Sequence, residues 1–167
     1  FHVNGPPQVR HAAPAAPSSD LPAWPTAARR APVGAGASAG GGPLAGVRVV
    51  DFGSYVAGPY GSQCLADFGA DVIKVEPIGG EKAREINQFT GSNRGKRGIV
   101  LDLKHPRRTE VIGPLVASAD VVMHNVRLAA ARKMGIDEAS IRAINPKVVF
   151  AHAAGYGTME STAGGKA

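Results

Sequence analysis

The stretch VRVVDFGSYVAGPYGSQCLADFGADVIKVEP, Val47 to Pro77, changes character twice within one short span. Val47 to Phe52 is a β-branched run bounded by Gly46 and Gly53, which reads as a buried strand. Ala57 to Phe68 then reads as a helix. Pro59 suits its first turn, where a missing N–H costs nothing. Tyr60, Cys64 and Phe68 recur every fourth residue as the expected buried face, and Gly69 offers a stop. Val72 to Glu76 returns to strand composition and is closed by Pro77. Strand, helix and strand in so short a span form a crossover unit, and such units build parallel sheets.

The alternation continues downstream. Ile99 to Leu103 reads as a third strand, and Val111, Ile112, Leu115, Val116 and Ala119 form a helical stripe. Val121-Val122-Met123 gives a fourth strand and Val148 to Ala151 a fifth. Between them Asp137 suits the N-cap of a helix running to Ile144, with Ile136 and Ile141 spaced as a hydrophobic staple. Pro114 breaks a rule, because an interior proline costs a helix about 3 kcal/mol. The expected fold class is α/β, a mostly parallel sheet with crossover helices. Such sheets bind ligands beyond the carboxyl ends of their strands. The loops of interest are therefore 53–58, 77–86, 104–106, 125–127 and 152–157.

The chain has 167 residues and a formal charge of +6, enough for one domain at most. Residues 1–42 are rich in Pro, Ala, Gly and Ser and end in GAGASAGGG. They read as a leader or linker that buries too little apolar surface to offset its ordering entropy. The chain opens on Phe1 and closes on Ala163-Gly164-Gly165-Lys166-Ala167 without a helix or strand signal, so truncation at both ends is expected. A basic balance fits nucleic acid, an anionic membrane surface or a phosphorylated ligand. With aromatics at 5% and no stacking pattern among the cations, single-stranded nucleic acid is disfavoured. No apolar run approaches the roughly 18–20 residues of a membrane span, and no signal-peptide pattern opens the chain. A soluble cytoplasmic protein without nucleic-acid or membrane partners is expected. The single cysteine, Cys64, excludes an internal disulfide and a cysteine metal cluster, and the five histidines lack metal-ligand spacing.

Each candidate for chemistry has a plain structural alternative. The first loop, GSYVAGPYG, lacks the G-x-G-x-x-G of a dinucleotide site, and Glu76 reads either as a ribose-binding acid or as a solvated strand end. His124 and His152 lie near strand ends, as site groups or as hydrogen-bonded histidines. Cys64 reads as a buried, inert thiol. In GSNRGKRGIVLDLKHP, residues 91–106, four cations surround a short apolar run: Arg94, Lys96, Arg97 and Lys104. They form either a solvated face or an anion site. Lys104, just past a strand, is the best placed to meet phosphate.

From Pro43 to Tyr156 the chain resembles the N-terminal part of the family III CoA-transferases, which include formyl-CoA and carnitine CoA-transferases and the related α-methylacyl-CoA racemases. The resembling stretches are PLAGVRVVDFG (43–53), AGPYGSQCLADFGADVIKVEP (57–77), NRGKRGIVLDLKHP (93–106), ADVVMHNV (119–126), RKMGID (132–137) and INPKVVFAHAAGYG (144–157). The resemblance implies a Rossmann-like large domain, here incomplete, that binds coenzyme A, with residues 43–167 as its N-terminal part. It implies interlocked homodimers in the full-length protein. Its substrates would be an acyl-CoA donor and a carboxylic acid acceptor, with no metal. CoA would move through an aspartyl intermediate, by covalent catalysis at a carboxylate.

Carried over by motif, Val56 and Ala57 match the loop at the CoA base and ribose. Leu101 and Lys104 match adenine and phosphate contacts. Asn125, Val126 and Arg127 match the loop beside pantetheine and diphosphate, and Lys133 matches a basic contact. The chain departs from the family where Val56 replaces a glutamine seen in some members and where Leu128-Ala129 replaces Pro-Gly. It departs again at Thr158-Met159-Glu160-Ser161. The resemblance puts both the transferase nucleophile and the racemase His-Asp pair beyond Ala167. The isolated chain is therefore expected to be inactive and to bind CoA weakly or not at all. The opening FHVNGPPQVRHAAPA resembles the family's C-terminal end, which implies the junction of a tandem protein; a single-copy enzyme with a leader is the alternative. A racemase and a degenerate, non-catalytic CoA-binding module remain open beside the transferase.

Overall fold

A computed structural model describes residues 42–155. The expected linker before Gly42 and the divergent 158–161 segment lie outside the described residues. Five strands form one sheet: β1 (Arg48–Asp51), β2 (Asp71–Glu76), β3 (Arg97–Val100), β4 (Val121–His124) and β5 (Val149–His152). Their order is β3-β2-β1-β4-β5 and every pairing is parallel. The chain winds outward from β1 to β3, returns, and winds outward again through β4 and β5. The sheet is thus the Rossmann-like α/β sheet that the sequence led us to expect. Its reversal point lies between β1 and β4, where doubly wound sheets bind ligands.

Val49 and Val50 on β1 are both fully buried, as a central strand covered on two faces requires. Val50, Ile73, Val75 and Val122 pack with Ile112, Leu115 and Val116 of α3 (Thr109–Ala117) and Ile141 of α5 (Glu138–Ile144). On the other face Val49 and Val72 pack with Leu65 and Ala66 of α1 (Ala57–Asp67). Two further short helices, α2 (Gln88–Asn93) and α4 (Leu128–Met134), complete the set with 3-10 turns at Lys82–Glu85 and Pro106–Arg108.

Several sequence expectations need correction. The α1 stripe points the other way: Tyr60 and Phe68 are 56% and 55% exposed, Cys64 is half-buried, and Gly58, Pro59, Ser62 and Gln63 face inward. The helix starts so close to the sheet that a Cβ on Gly58 would lie 3.0 Å from Asn125 Oδ1, which leaves room only for small or compact groups. β3 begins and ends earlier than expected. Val100 pairs with Glu76, the last residue of β2, so nothing remains beyond it for a longer strand to pair with. Leu101 makes one further bond, from its N–H to the Glu76 carbonyl (2.8 Å), before the chain turns.

Pro114 sits inside α3 after all. The carbonyl it deprives of an N–H is that of Glu110, an exposed residue, so the missing donor does not leave a buried carbonyl unpaired. The cap and staple at α5 match expectation. Asp137 accepts from the Ser140 N–H and hydroxyl, at 3.4 and 2.6 Å, and Ile136 and Ile141 are both fully buried.

Candidate functional site

The reversal point brings the loop after β1 against the loop after β4. Asp51 ends β1, and its Oδ1 accepts the Gly53 N–H at 2.7 Å. The chain then turns through Tyr55, whose φ of 62° is the one positive value at a non-glycine among the described residues. Strain of this kind is held only where neighbours over-determine the loop. Here Asn125 does so: its Oδ1 accepts the Ser54 N–H and its Nδ2 donates to the Ser54 carbonyl, both at 2.9 Å. Val56 caps α1 without a side-chain bond, and it and Ala57 are exposed. The Tyr60 N–H is spent on the Val56 carbonyl and Pro59 has none. The Ala57 and Gly58 N–H groups have no backbone acceptor among the described residues, as the first turn of a helix leaves them, and they lie at the positive end of α1.

Beneath this loop lies a set of buried charges. Lys74 donates to the Gly53 carbonyl at 2.8 Å and pairs with Glu81 at 2.9 Å, with both side chains out of water. Lys96 donates to Asp51 Oδ2 (2.9 Å), the Pro59 carbonyl (2.7 Å) and Asn93 Oδ1 (2.9 Å). Ser62 adds a 2.6 Å bond to the same Asp51 oxygen. Burial pulls the Lys96 ammonium below the usual lysine range, and the Asp51 charge opposes that pull. Glu76 is not the solvated strand end considered above. It is buried and held by Arg84 through two bonds of 2.6 Å, while Arg84 also lies over the Phe89 ring at 4.4 Å. Burial works to raise the Glu76 carboxyl, but the Arg84 bond, the Glu81 N–H and the Arg84 and Lys74 charges together bring it below its ordinary value.

The cation cluster divides sharply. Arg94 pairs with Asp67 at 2.8 Å, Lys96 with Asp51, and Arg97 with Asp71 at 2.7 Å. Three of the four motif cations are therefore neutralised within the fold. Lys104 alone is exposed with no side-chain partner among the described residues, and only its backbone N–H is held, by Asp102 Oδ1 at 2.9 Å.

The remaining sequence candidates fall into two groups. Val56, Ala57, Asn125, Val126 and Arg127 meet at the reversal point, with Arg127 exposed at the start of α4. Leu101 and Lys104 stand past β3, three inter-strand spacings or about 14 Å from β4. Lys133 lies in the last turn of α4, exposed, beside Met134. The Met134 carbonyl accepts Arg108 Nε at 3.0 Å, which ties this end of α4 to the turn that follows Lys104.

Sequence reasoning favoured hydrogen-bonded histidines at His124 and His152, as both are, but missed their joint contact with Val126. The two are register partners at the ends of β4 and β5, with ring centroids 4.6 Å apart. Alternation alone could have placed both at strand ends. It could not have shown that the strands are neighbours.

The sequence profile of CoA-transferase family III matches residues 44–166. The succinate–glutarate CoA-transferase of Agrobacterium fabrum is 40% identical over 131 residues, covering 69% of this chain and 33% of that protein. A formyl-CoA:oxalate CoA-transferase of Afipia carboxidovorans is 41% identical over 124 residues, covering 68% and 29%. The crystal structure of Rv3272 from M. tuberculosis superposes with a TM-score of 0.66 at 41% identity, covering 70% of this chain and 33% of that one. A CAIB/BAIF family protein from Brucella suis superposes with a TM-score of 0.63 at 38% identity, covering 67% and 33%. The chain spans about a third of the length of the curated relatives it matches.

Proposed function

Because this chain belongs to CoA-transferase family III, we propose that residues 43–167 are the CoA-binding N-terminal part of an enzyme that moves CoA from an acyl-CoA donor to a carboxylic acid. Residues 1–42 would serve as leader or linker, and the full-length protein would be an interlocked homodimer in the cytoplasm. Among the described residues no helix is long and apolar enough to cross a membrane. The observation that carries the proposal is the split of the cation cluster. Arg94, Lys96 and Arg97 each have an aspartate, whereas Lys104 projects free past the carboxyl ends of the strands. Arg127 and Lys133 are likewise exposed and unpaired among the described residues. CoA carries three phosphate groups, and exposed, unpaired cations suit that charge.

On this reading Ala57 and Gly58 offer N–H groups, Asn125 holds the two loops together, and Lys104, Arg127 and Lys133 supply positive charge. Leu101 would give an apolar contact for the base. The transfer would run through an aspartate. Its carboxylate attacks the thioester carbonyl and expels CoA thiolate, leaving a mixed anhydride. The thiolate then attacks the aspartyl carbonyl and releases the donor acid. The acceptor carboxylate displaces the enzyme carboxylate in the same two steps, reversed. The described aspartates have other tasks: Asp51, Asp67 and Asp71 pair with cations, Asp102 and Asp137 cap turns, and Asp120 accepts the Arg48 N–H. The nucleophile is therefore assigned outside residues 42–155.

Calorimetric titration of the full-length protein with CoA and with 3′-dephospho-CoA tests this reading. Lys104→Ala should weaken CoA binding about tenfold, the scale of one charge-assisted contact, and leave folding intact. No CoA binding by the wild type would overturn the proposal. Equal affinity in the variant would remove Lys104 from the site.

A further inference from the structure

The backbone of Val126 is held between two imidazole rings. Its N–H donates to His124 Nδ1 at 3.1 Å, and its carbonyl lies 2.9 Å from His152 Nε2. The rings face each other at 4.6 Å with a 39° tilt. Phe150 stands edge-on to His124 at 5.3 Å, and His124 is buried to 1% exposure. His124 Nε2 has no hydrogen bond of ordinary geometry, although it faces the Ile136 backbone.

These contacts fix which nitrogen bears the proton on each ring. A nitrogen that accepts an N–H bears none, so His124 is neutral with its proton on Nε2. A carbonyl can only accept, so His152 Nε2 must carry a proton. The bonds therefore run in one direction, from His152 to the Val126 carbonyl and from the Val126 N–H to His124. A reversed tautomer on either ring would put lone pair against lone pair or proton against proton.

The residue so held lies between two residues with outward tasks. Asn125 clasps Ser54, and Arg127 projects into solvent at the start of α4. The Val126 N–H belongs to the peptide that joins it to Asn125 and its carbonyl to the one that joins it to Arg127, so fixing both peptides sets the direction of both neighbours. Resting on the CoA reading of this loop, we propose that His124 and His152 are a pair of positioning residues. They set the Asn125–Arg127 loop for CoA without touching it, His152 as hydrogen-bond donor and His124 as acceptor.

Two measurements on the full-length protein test this. The first is long-range proton–nitrogen NMR on protein labelled with 15N at histidine, near neutral pH. Both rings should carry the proton on Nε2, and a proton on His124 Nδ1 or its absence from His152 Nε2 overturns the proposal. The second is CoA affinity. His152→Ala should weaken it about tenfold, the scale of one lost hydrogen bond plus an unpaired carbonyl. His152→Gln, whose amide can donate from the Nε2 position, should restore most of it. Phe150→Leu, which disturbs the same packing but not the bonds, should leave affinity within about twofold.

If the wild type binds CoA and His152→Gln is folded yet as weak as a loop lacking its donor, or if His152→Ala binds normally, the pair does not position the loop. A wild type that ignores CoA overturns the CoA reading and this proposal together. That outcome is distinct, because the first two require a binding wild type.

Discussion

Lys96 Nζ and Asp51 Oδ2 lie 2.9 Å apart, with the two side chains 2% and 0% exposed. A cation from the motif that looked most like an anion site is instead a buried strut beneath the loop after β1. Removing one member of such a pair leaves an uncompensated charge out of water. Lys96→Met should cost about 3–5 kcal/mol, read as a shift in the urea midpoint at constant slope. Adding Asp51→Asn should recover part of that loss. A single variant within 1 kcal/mol of wild type, on the scale of an exposed pair, would mean that Asp51 is not paired as described.

Gly58 is held to its size by its neighbours. An added Cβ would meet Asn125 Oδ1 at 3.0 Å and Gly53 Cα at 3.1 Å. Gly58→Ala should therefore destabilise by about 1–3 kcal/mol through overpacking, even though alanine favours helices. Thermal unfolding decides it. A higher melting temperature would show that the α1 start can back away from the β4 loop.

Arg94 and Arg97 serve as controls for Lys104. Their partners, Asp67 and Asp71, are partly exposed, so each pair contributes on the order of 0–1 kcal/mol. Arg94→Ala and Arg97→Ala should leave CoA affinity and its salt dependence unchanged. A tenfold loss in either would place these residues at the ligand after all.

Acid should destabilise the fold through His124. Burial, and secondarily the neighbouring His152, lower its pKa from 6.5 to about 4, against the opposing pull of the Val126 backbone and the Asp137 charge. The unfolded state therefore binds the extra proton between about pH 6.5 and 4, and stability falls as pH drops through that window by up to about 1.4 kcal/mol per unit. In His124→Asn that part of the slope should vanish from urea midpoints measured across pH 4–7. An unchanged slope would assign it to other groups.

Sheet class, strand count and the α5 cap were legible because each rests on local signals: β-branched runs, a helical stripe, and Asp137 between two isoleucines. The facing of α1 was not. Tyr60, Cys64 and Phe68 satisfy a helical period, but the helix meets the sheet through Gly58, Pro59 and Ser62, because the loop before it is too short to hold it away. The cations were opaque for a related reason. Asp67 and Asp71 lie 27 and 26 residues from Arg94 and Arg97, and Asp51 lies 45 from Lys96. Nothing local marks such partners. Helix α4 escaped notice because Leu128–Met134 is a short run of alanines and cations with one buried residue, Ala131.

The Ser54–Asn125 clasp joins residues 71 apart in the chain, and β4, the second neighbour of β1, follows both β2 and β3 in the chain. On a ribosome adding about 5–20 residues per second, that separation is roughly 4–14 seconds. For that interval neither β4 nor Asn125 has been made, so the growing chain holds nothing to pair with the second edge of β1 or to lock the turn at Tyr55. The edge of β1 that β4 covers in the finished sheet is thus the last part of that strand for which the ribosome supplies a partner.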